Sequence, residues 1–311
     1  MKKGLFRKGC KYIFDRDYRF LFDVNRGKYN RMEDEEFLKK VFRASMGREL
    51  DLEHPQTFNE KLQWLKLYNR RQEYTVMVDK YRVREVVADR LGEAYLIPLL
   101  GVWDDPADID FDALPEQFVL KCNHNSGLGM CICQNKSSLD LARVRAELKK
   151  GLEQDYYLTG REWPYKDVPR KIICEKYMVD EEQSGGLTDY KFFCFHGKAD
   201  CVMVCLDRNT GFTKYYLFDR DWKLLRLNKR GKEAPEGFTI PMPDTMPEMF
   251  EIAEKLSSGL PYARIDLYSC SHRIYFGEIT FFPDSGFDVN ILPEADRYWG
   301  EKLELPPCVR G

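Results

Sequence analysis

Residues 264–280 read Arg264-Ile-Asp266-Leu-Tyr-Ser-Cys-Ser-His-Arg-Ile-Tyr-Phe-Gly-Glu278-Ile-Thr280. Two apolar, strand-like runs flank a short turn, placed at Tyr268 to Arg273. Side chains alternate along a strand, so Arg264 and Asp266 share one face, as do Glu278 and Thr280. Paired strands set Asp266 beside Glu278. Adjacent carboxylates repel unless a cation lies between them. Hard oxygen ligands of this kind suit Mg²⁺ held together with the phosphates of a nucleotide. Arg264 is then placed to steady a transferring phosphoryl group. On that pattern the chain reads as an ATP-dependent enzyme. A cross-strand ion pair between Arg264 and Glu278 is the plainer alternative, and it leaves Asp266 unexplained.

Composition narrows the remaining choices. A chain of 311 residues can bury one large core or two or three smaller ones. Its net charge of −2 argues against a general nucleic-acid binder, so no nucleic-acid partner is expected. None of the ten cysteines forms a C-x-x-C pair. Several lie in apolar runs, as reduced thiols of a cytoplasmic protein do. The four histidines show no zinc spacing. No apolar stretch reads as a signal peptide or a membrane span.

The first 31 residues stand apart, with ten Lys or Arg against three Asp and aromatics interleaved. Such a segment suits an anionic membrane surface at the inner face of the membrane, or else packs on its own protein. Residues 34–70 read as helices. Thr57 and Glu60 form a capping box, and Leu62, Trp64, Leu65, Leu67 and Tyr68 supply the apolar face. A helix is expected over 79–91, a strand near 97–102 and another over 117–122. A helix over 139–152, a strand over 171–178 and a loop over 180–188 come next. Residues 189–195 and 199–206 form a hairpin about His196-Gly197-Lys198, and a helix over 247–256 precedes the two opening strands.

Within that order several residues carry chemistry. Asn125 to Gly129 follows a strand and suits a phosphate cradle, with Ser126 adding a hydroxyl and Gly127 and Gly129 permitting close approach. It is no Walker A loop, because no G-K-[ST] follows. Lys121, just before it, reaches toward a phosphate. Glu175 ends an apolar strand and reads as a hinge, with the backbone of Lys176 and Tyr177 meeting an adenine edge. Asp189 and Lys191 point the same way on their strand, toward ribose hydroxyls and a phosphate or acidic substrate. Two D-x-D triplets, Asp15-Arg-Asp17 and Asp219-Arg-Asp221, supply the rival reading of a metal-dependent glycosyltransferase.

Taken in order, these residues resemble an ATP-grasp enzyme. The run Glu278-Ile-Thr280-Phe-Phe-Pro283-Asp-Ser285-Gly286 looks like the metal-and-substrate strand of the D-alanine–D-alanine ligase group. The chain is more closely similar to the teichuronopeptide-biosynthesis (TupA-like) ATP-grasp family. That resemblance rests on Thr57-Phe58-Asn59-Glu60-Lys61 with Gln63-Trp64-Leu65-Lys66, and on Asp79-Lys80-Tyr81 with Val83-Arg84. It continues in Lys121 with Asn123-His124 and Ser126-Gly127, in Asp189-Tyr190-Lys191-Phe192, and in Phe276-Gly277-Glu278. It spans about residues 45–300.

The resemblance implies an α+β ATP-grasp fold with nucleotide clamped between two lobes. It divides the chain into a basic and aromatic arm (1–45), a helical subdomain (46–115), a central lobe (116–177) and a C-terminal lobe (178–311). It assigns ATP to Lys121, Ser126, Gly127, Glu175, Lys176, Tyr177 and Asp189. Mg²⁺ goes to Asp266, Glu278 and Thr280, the last standing where many ATP-grasp enzymes carry Asn. Catalysis goes to Arg264 and Lys191, and the acceptor to His124, Ser285 and Gly286. The implied reaction is carboxylate–amine ligation through an acyl phosphate, on a small-molecule or glycan carboxylate and an amine, in surface-polysaccharide synthesis. A sugar kinase would use the same nucleotide residues.

Overall fold

The computed structural model describes residues 12, 14–179, 187–207 and 213–307. Residues 1–11, most of the expected loop over 180–188 and residues 208–212 lie outside that description. The chain divides into two compact units. One comprises Met1–Arg71, Tyr157–Trp163 and Phe282–Gly311, and the other Gln72–Tyr156 and Pro164–Phe281.

The first unit is helical. Its core gathers Phe37, Leu38, Val41, Phe42 and Leu50, with Phe20, Leu21 and Val24 packed on from the helix Arg16–Asn25. The capping box is present: Thr57 Oγ1 accepts from Glu60 N, and Glu60 Oε2 accepts from Thr57 N at 3.0 Å. It opens the helix Phe58–Tyr68, whose buried face is less apolar than its leucines suggest. Asn59, Gln63 and Lys66 are buried there with Phe58, Leu62 and Leu65. Each polar group has partners, as burial requires. Asn59 donates through its backbone (2.8 Å) and its amide (3.0 Å) to Asp296. Gln63 Nε2 donates to the carbonyls of Ser285 (3.1 Å) and Gly286 (2.6 Å).

Those bonds move the expected domain limits. Phe282–Gly311, assigned from sequence to a C-terminal lobe, is drawn into the helical unit. The expected limit at residue 116 also falls inside the second unit, because the strand Leu99–Trp103 pairs with Ile172–Lys176. Long-range pairings of this kind leave no local mark in a sequence.

Lys66 Nζ donates to Gln63 Oε1 (3.0 Å) and to the carbonyls of Gly160 and Ser285 (2.7 Å each). Burial pushes its pKa down to about 7 from 10.5, and the carboxylates of Glu162 and Asp34 offset only part of that. Between those values the unfolded chain holds a proton the folded chain has released. Stability from this group therefore rises with pH across that window and is lowest below it. The unfolding free energy of the wild type relative to Lys66→Met should grow by up to about 1.4 kcal/mol per pH unit there. Urea unfolding over that range checks it, and a flat difference would place the Lys66 titration elsewhere.

The second unit holds two antiparallel sheets. The strands are β1 (Leu99–Trp103), β2 (Phe118–Cys122), β3 (Met130–Cys133), β4 (Ile172–Lys176), β5 (Asp189–Phe195), β6 (Lys198–Leu206), β7 (Lys214–Phe218), β8 (Leu224–Leu225), β9 (Tyr262–Cys270) and β10 (Arg273–Thr280). The first sheet runs β1-β4-β2-β3 and the second β10-β9-β5-β6-β7-β8. In the first, Phe118, Leu120, Cys133, Ile172 and Cys174 form a core with Leu148 of the helix Leu141–Glu153. In the second, Phe192 meets Phe250 of the helix Met246–Ser257 edge-on at 4.9 Å. The β9–β10 turn is tighter than expected, two residues rather than a span from Tyr268 to Arg273. Ser271 and His272 both adopt positive φ (49° and 59°), as do His196 and Gly197 in the β5–β6 hairpin. Paired positive φ is what a two-residue hairpin joining twisted strands demands.

Candidate nucleotide and metal site

The site begins with a register. Lys191 on β5 pairs with Asp266 on β9, and Asp266 pairs with Glu278 on β10. Cross-strand partners share a face, so the three form one polar row. Arg264 and Thr280 are partners in the next row. This arrangement depends on a bulge. From Arg273–Cys270 to Phe276–Leu267 the pairing is regular; continued, it would set Asp266 against Gly277 and turn Glu278 to the apolar face. The shift between Phe276 and Glu278 instead brings Glu278 opposite Asp266. Glycine is needed there, since a Cβ at 277 would lie 2.9 Å from the Asp266 carbonyl oxygen.

Opposite charges close around the row. Arg264 grips Asp266 with Nε (2.7 Å) and Nη2 (2.8 Å), and Nη2 also donates to Thr280 Oγ1 at 3.1 Å. Lys191 Nζ donates to Asp266 Oδ2 and stands 4.0 Å from Asp189 Oδ2. Arg264 is thus chiefly the partner of Asp266 on its own strand. The cross-strand pair with Glu278, the plainer alternative from sequence, is the longer contact, at 3.5 Å. Burial alone would lower the pKa values of Lys191 and Arg264, but Asp266 outweighs it and holds both raised.

Glu278 is the more open carboxylate, 35% exposed against 2% for Asp266. Burial would raise its pKa, yet Lys80, Lys191, Arg264 and Lys121 together bring it down to about 2. Lys80 lies closest to its other oxygen, with Nζ 3.7 Å from Oε2. Lys80 Nζ also donates to the Asn125 carbonyl at 2.7 Å, joining the β2–β3 loop to the carboxylate row. Burial lowers its pKa, with Glu278 opposing. Sequence reading quoted Asp79-Lys80-Tyr81 and gave it no role; its signal was a lysine ahead of the helix Val83–Leu91 that belongs to no helical face.

Lys121 and Glu175 come together on the open face of the first sheet, with Nζ to Oε2 at 2.6 Å. Arg84, also without a role in the sequence reading, stands 3.5 Å from Glu175 Oε1. Glu175 is buried rather than solvated. Val119, Ile173, Met130 and Ile132 share this face by register, and the last two are 49% and 54% exposed. That apolar strip beside Lys121 went unread because the run Met130-Cys-Ile-Cys133 looks like ordinary core. The backbone N–H of Lys176, expected to meet an adenine edge, donates instead to the Pro98 carbonyl at 2.9 Å. The Tyr177 hydroxyl accepts from Gln134 Nε2 at 2.7 Å.

The loop after β2 is pinned from below. Asn123 Nδ2 donates to Asp79 Oδ1 (2.7 Å), and Asn125 Nδ2 to the Gly151 carbonyl (3.1 Å). Ser126 and Gly127 face outward, with positive φ at Gly127 and Gly129. His124 is buried, its Nε2 3.1 Å from the Gln154 carbonyl, so it supports the loop from beneath. Ser285 and Gly286 belong to the helical unit. Ser285 Oγ donates there to Glu162 Oε1 at 2.5 Å.

Two carboxylates and a hydroxyl in adjacent rows are a hard-oxygen donor set. Among the described residues no group of three His, Cys, Asp or Glu is arranged to hold an ion alone. The set fits Mg²⁺, which takes one or two carboxylates and completes its shell with phosphate oxygens and water. The first aspartate of each D-x-D triplet is otherwise engaged. Asp15 caps the helix Arg16–Asn25 through Tyr18 N, and Asp219 accepts from Lys223 N within a turn.

The family model described as TupA-like ATPgrasp matches residues 60–304. No curated protein matches the chain. Among solved structures it is similar to D-alanine–D-alanine ligase from Bacillus anthracis complexed with ATP, at 16% identity, over 73% of this chain and 62% of that one, with a TM-score of 0.43. D-Alanine–D-alanine ligase from Helicobacter pylori gives 12% identity, 79% and 69% coverage, and a TM-score of 0.45. The ATP-grasp ligase PsnB, complexed with a phosphomimetic variant of its minimal precursor, Mg and ADP, gives 11% identity, 79% and 65% coverage, and 0.43. The chain spans less than two thirds of the length of the Bacillus anthracis ligase and of PsnB.

Proposed function

Because the chain belongs to the TupA-like ATP-grasp family, we propose that it is an ATP-dependent carboxylate–amine ligase. The observation that carries this reading is the row Lys191–Asp266–Glu278, flanked by Arg264 and Lys80. It offers oxygen ligands and three cationic groups around one point, as a polyphosphate and its metal require. Lys121 and Lys80 bind phosphates together with Ser126 and Gly127, and the apolar strip about Met130 and Ile132 receives the base beside Glu175, Lys176 and Tyr177. Asp189 serves the ribose. Glu278, with Asp266 and Thr280, would hold Mg²⁺, which would supply charge neutralisation when bound.

The acceptor carboxylate attacks the γ-phosphorus, the bond to the β-phosphate oxygen breaks, and ADP departs. Arg264 leaves its fork on Asp266 to meet the transferring phosphoryl group, and Lys191 holds Asp266 in its place. An amine then attacks the acyl carbon, loses a proton and expels phosphate, leaving an amide. The acceptor is a uronic acid or an amino-acid carboxyl group in surface-polysaccharide synthesis at the cytoplasmic side. The capping role of Asp15 and the turn role of Asp219 count against a glycosyltransferase.

The chain should bind ATP in millimolar Mg²⁺ in preference to UDP-sugars. Calorimetry showing UDP-sugar binding without ATP binding would end the reading. A screen for ADP release with uronic acids and amino acids then identifies the acceptor. An amide product supports the ligase, and a phosphoester assigns a kinase.

A further inference from the structure

Asp79 lies between the helices Glu73–Val78 and Val83–Leu91 and is almost wholly buried. A carboxylate is costly to bury unless donors surround it. Asp79 Oδ1 takes three: the backbone N–H of Tyr81 (2.9 Å), that of Arg82 (3.3 Å) and Asn123 Nδ2 (2.7 Å). The first two fold the chain into a turn around Lys80. The third ties that turn to the residue that follows β2. The tie runs both ways, since Lys80 N donates to the Asn123 carbonyl at 3.1 Å.

Asn123 is buried and held in its turn from the start of β4. Its backbone N–H donates to the Lys171 carbonyl (3.0 Å), its Oδ1 accepts from Lys171 N (2.7 Å), and its Nδ2 also donates to the Pro169 carbonyl (2.8 Å). Lys80 therefore springs from a backbone fixed on the first sheet. Its ammonium ends between the Asn125 carbonyl (2.7 Å) and Glu278 Oε2 (3.7 Å). A lysine stem is long and flexible, so aiming its charge from a free loop costs backbone and rotamer entropy together. The clasp between Asp79 and Asn123 removes the backbone part of that cost before any ligand arrives.

On the nucleotide reading above, we propose that Asp79 and Asn123 are positioning residues that touch no ligand and fix the backbone from which Lys80 meets the phosphates of ATP. Because Lys80 stands beside Glu278, its share lies in the phosphates next to the metal rather than in the nucleoside.

Calorimetry of Mg·ATP and of AMP across a double-mutant cycle tests the assignment. Lys80→Met should weaken Mg·ATP by about tenfold or more and leave AMP within about twofold. Asp79→Ser keeps an oxygen for the N–H groups of the turn but falls one bond short of Asn123. It should weaken Mg·ATP by about tenfold on its own, and by less than about twofold in the Lys80→Met background. Asn123→Asp, near-isosteric and lacking only the Nδ2 donor, should follow the same pattern. Urea unfolding establishes that each variant is folded. An equal further loss in the Lys80→Met background, or equal losses for AMP and ATP, would make the clasp merely structural and overturn the proposal. So would failure of both clasp variants to fold, or an Mg·ATP affinity that Lys80→Met leaves unchanged. If Lys80→Met weakens ATP and neither clasp substitution does, this proposal alone falls. If the wild type binds no Mg·ATP, the nucleotide reading falls with it.

Discussion

Glu278→Gln is expected to lower turnover by about two orders of magnitude or more, the scale of losing one strong transition-state stabiliser. The substitution keeps the shape of the side chain and removes the charge of the more accessible carboxylate in the row. Weighing only the repulsion between Asp266 and Glu278 predicts no cost to folding. The structure reverses that sign, because Lys80, Lys191, Arg264 and Lys121 hold the Glu278 carboxyl down to about 2 against an ordinary 4.5. A carboxylate with a lowered pKa stabilises the fold above its ordinary value, and the contribution is lost as pH falls from about 4.5 toward 2. Solvent screens a side chain that is 35% exposed, so the variant should lose about 1 kcal/mol at neutral pH. Steady-state turnover and urea unfolding separate the two effects. Near-normal turnover would remove Glu278 from the metal site, and wholesale unfolding would make it a structural ion.

Gly277→Val should reduce activity to a similar degree without touching any charged group. A Cβ at this position meets the Asp266 carbonyl oxygen at 2.9 Å and the Tyr268 ring at 3.0 Å. The backbone cannot yield there while the β9–β10 pairing is kept. Either the strands part locally, at about 1–3 kcal/mol as for other overpacked positions, or the bulge is lost and Glu278 turns away from Asp266. Both outcomes disperse the row. Thermal unfolding and turnover on the purified variant are the measurements. A variant with full activity would mean that the site does not require this register.

Much of the chemistry is legible in order along the chain. The capping box at Thr57 and Glu60, the hairpin at His196-Gly197, and the strands bearing Lys121, Glu175, Lys191 and Asp266 are all local signals. Each is written within a window of about ten residues by alternation, capping or turn residues. Lys80 and Arg84 escaped a functional reading because a lone cation near a helix start has no periodicity to mark it. The buried polar face of Asn59, Gln63 and Lys66 escaped for the opposite reason: helical spacing was read for leucines, whereas its polar members find their partners far along the chain, at Asp296, Gly160, Ser285 and Gly286.

By itself, then, the sequence determined which residues bear charge on which strands and that two of the carboxylates belong to a neighbouring strand pair. Their expected juxtaposition holds, but the tertiary structure alone decided the register that achieves it. Strand alternation has a period of two, and a two-residue turn at Ser271-His272 fixes a register that would place Glu278 on the wrong side. One extra residue at Gly277 corrects it, and a bulge is a property of the paired strands rather than of either alone. The same holds for the Arg264 fork on Asp266 and for Lys80 between the Asn125 carbonyl and Glu278. Those contacts join side chains to partners that local sequence does not specify, because Coulomb attraction and desolvation act through space and are settled only once the chain has closed.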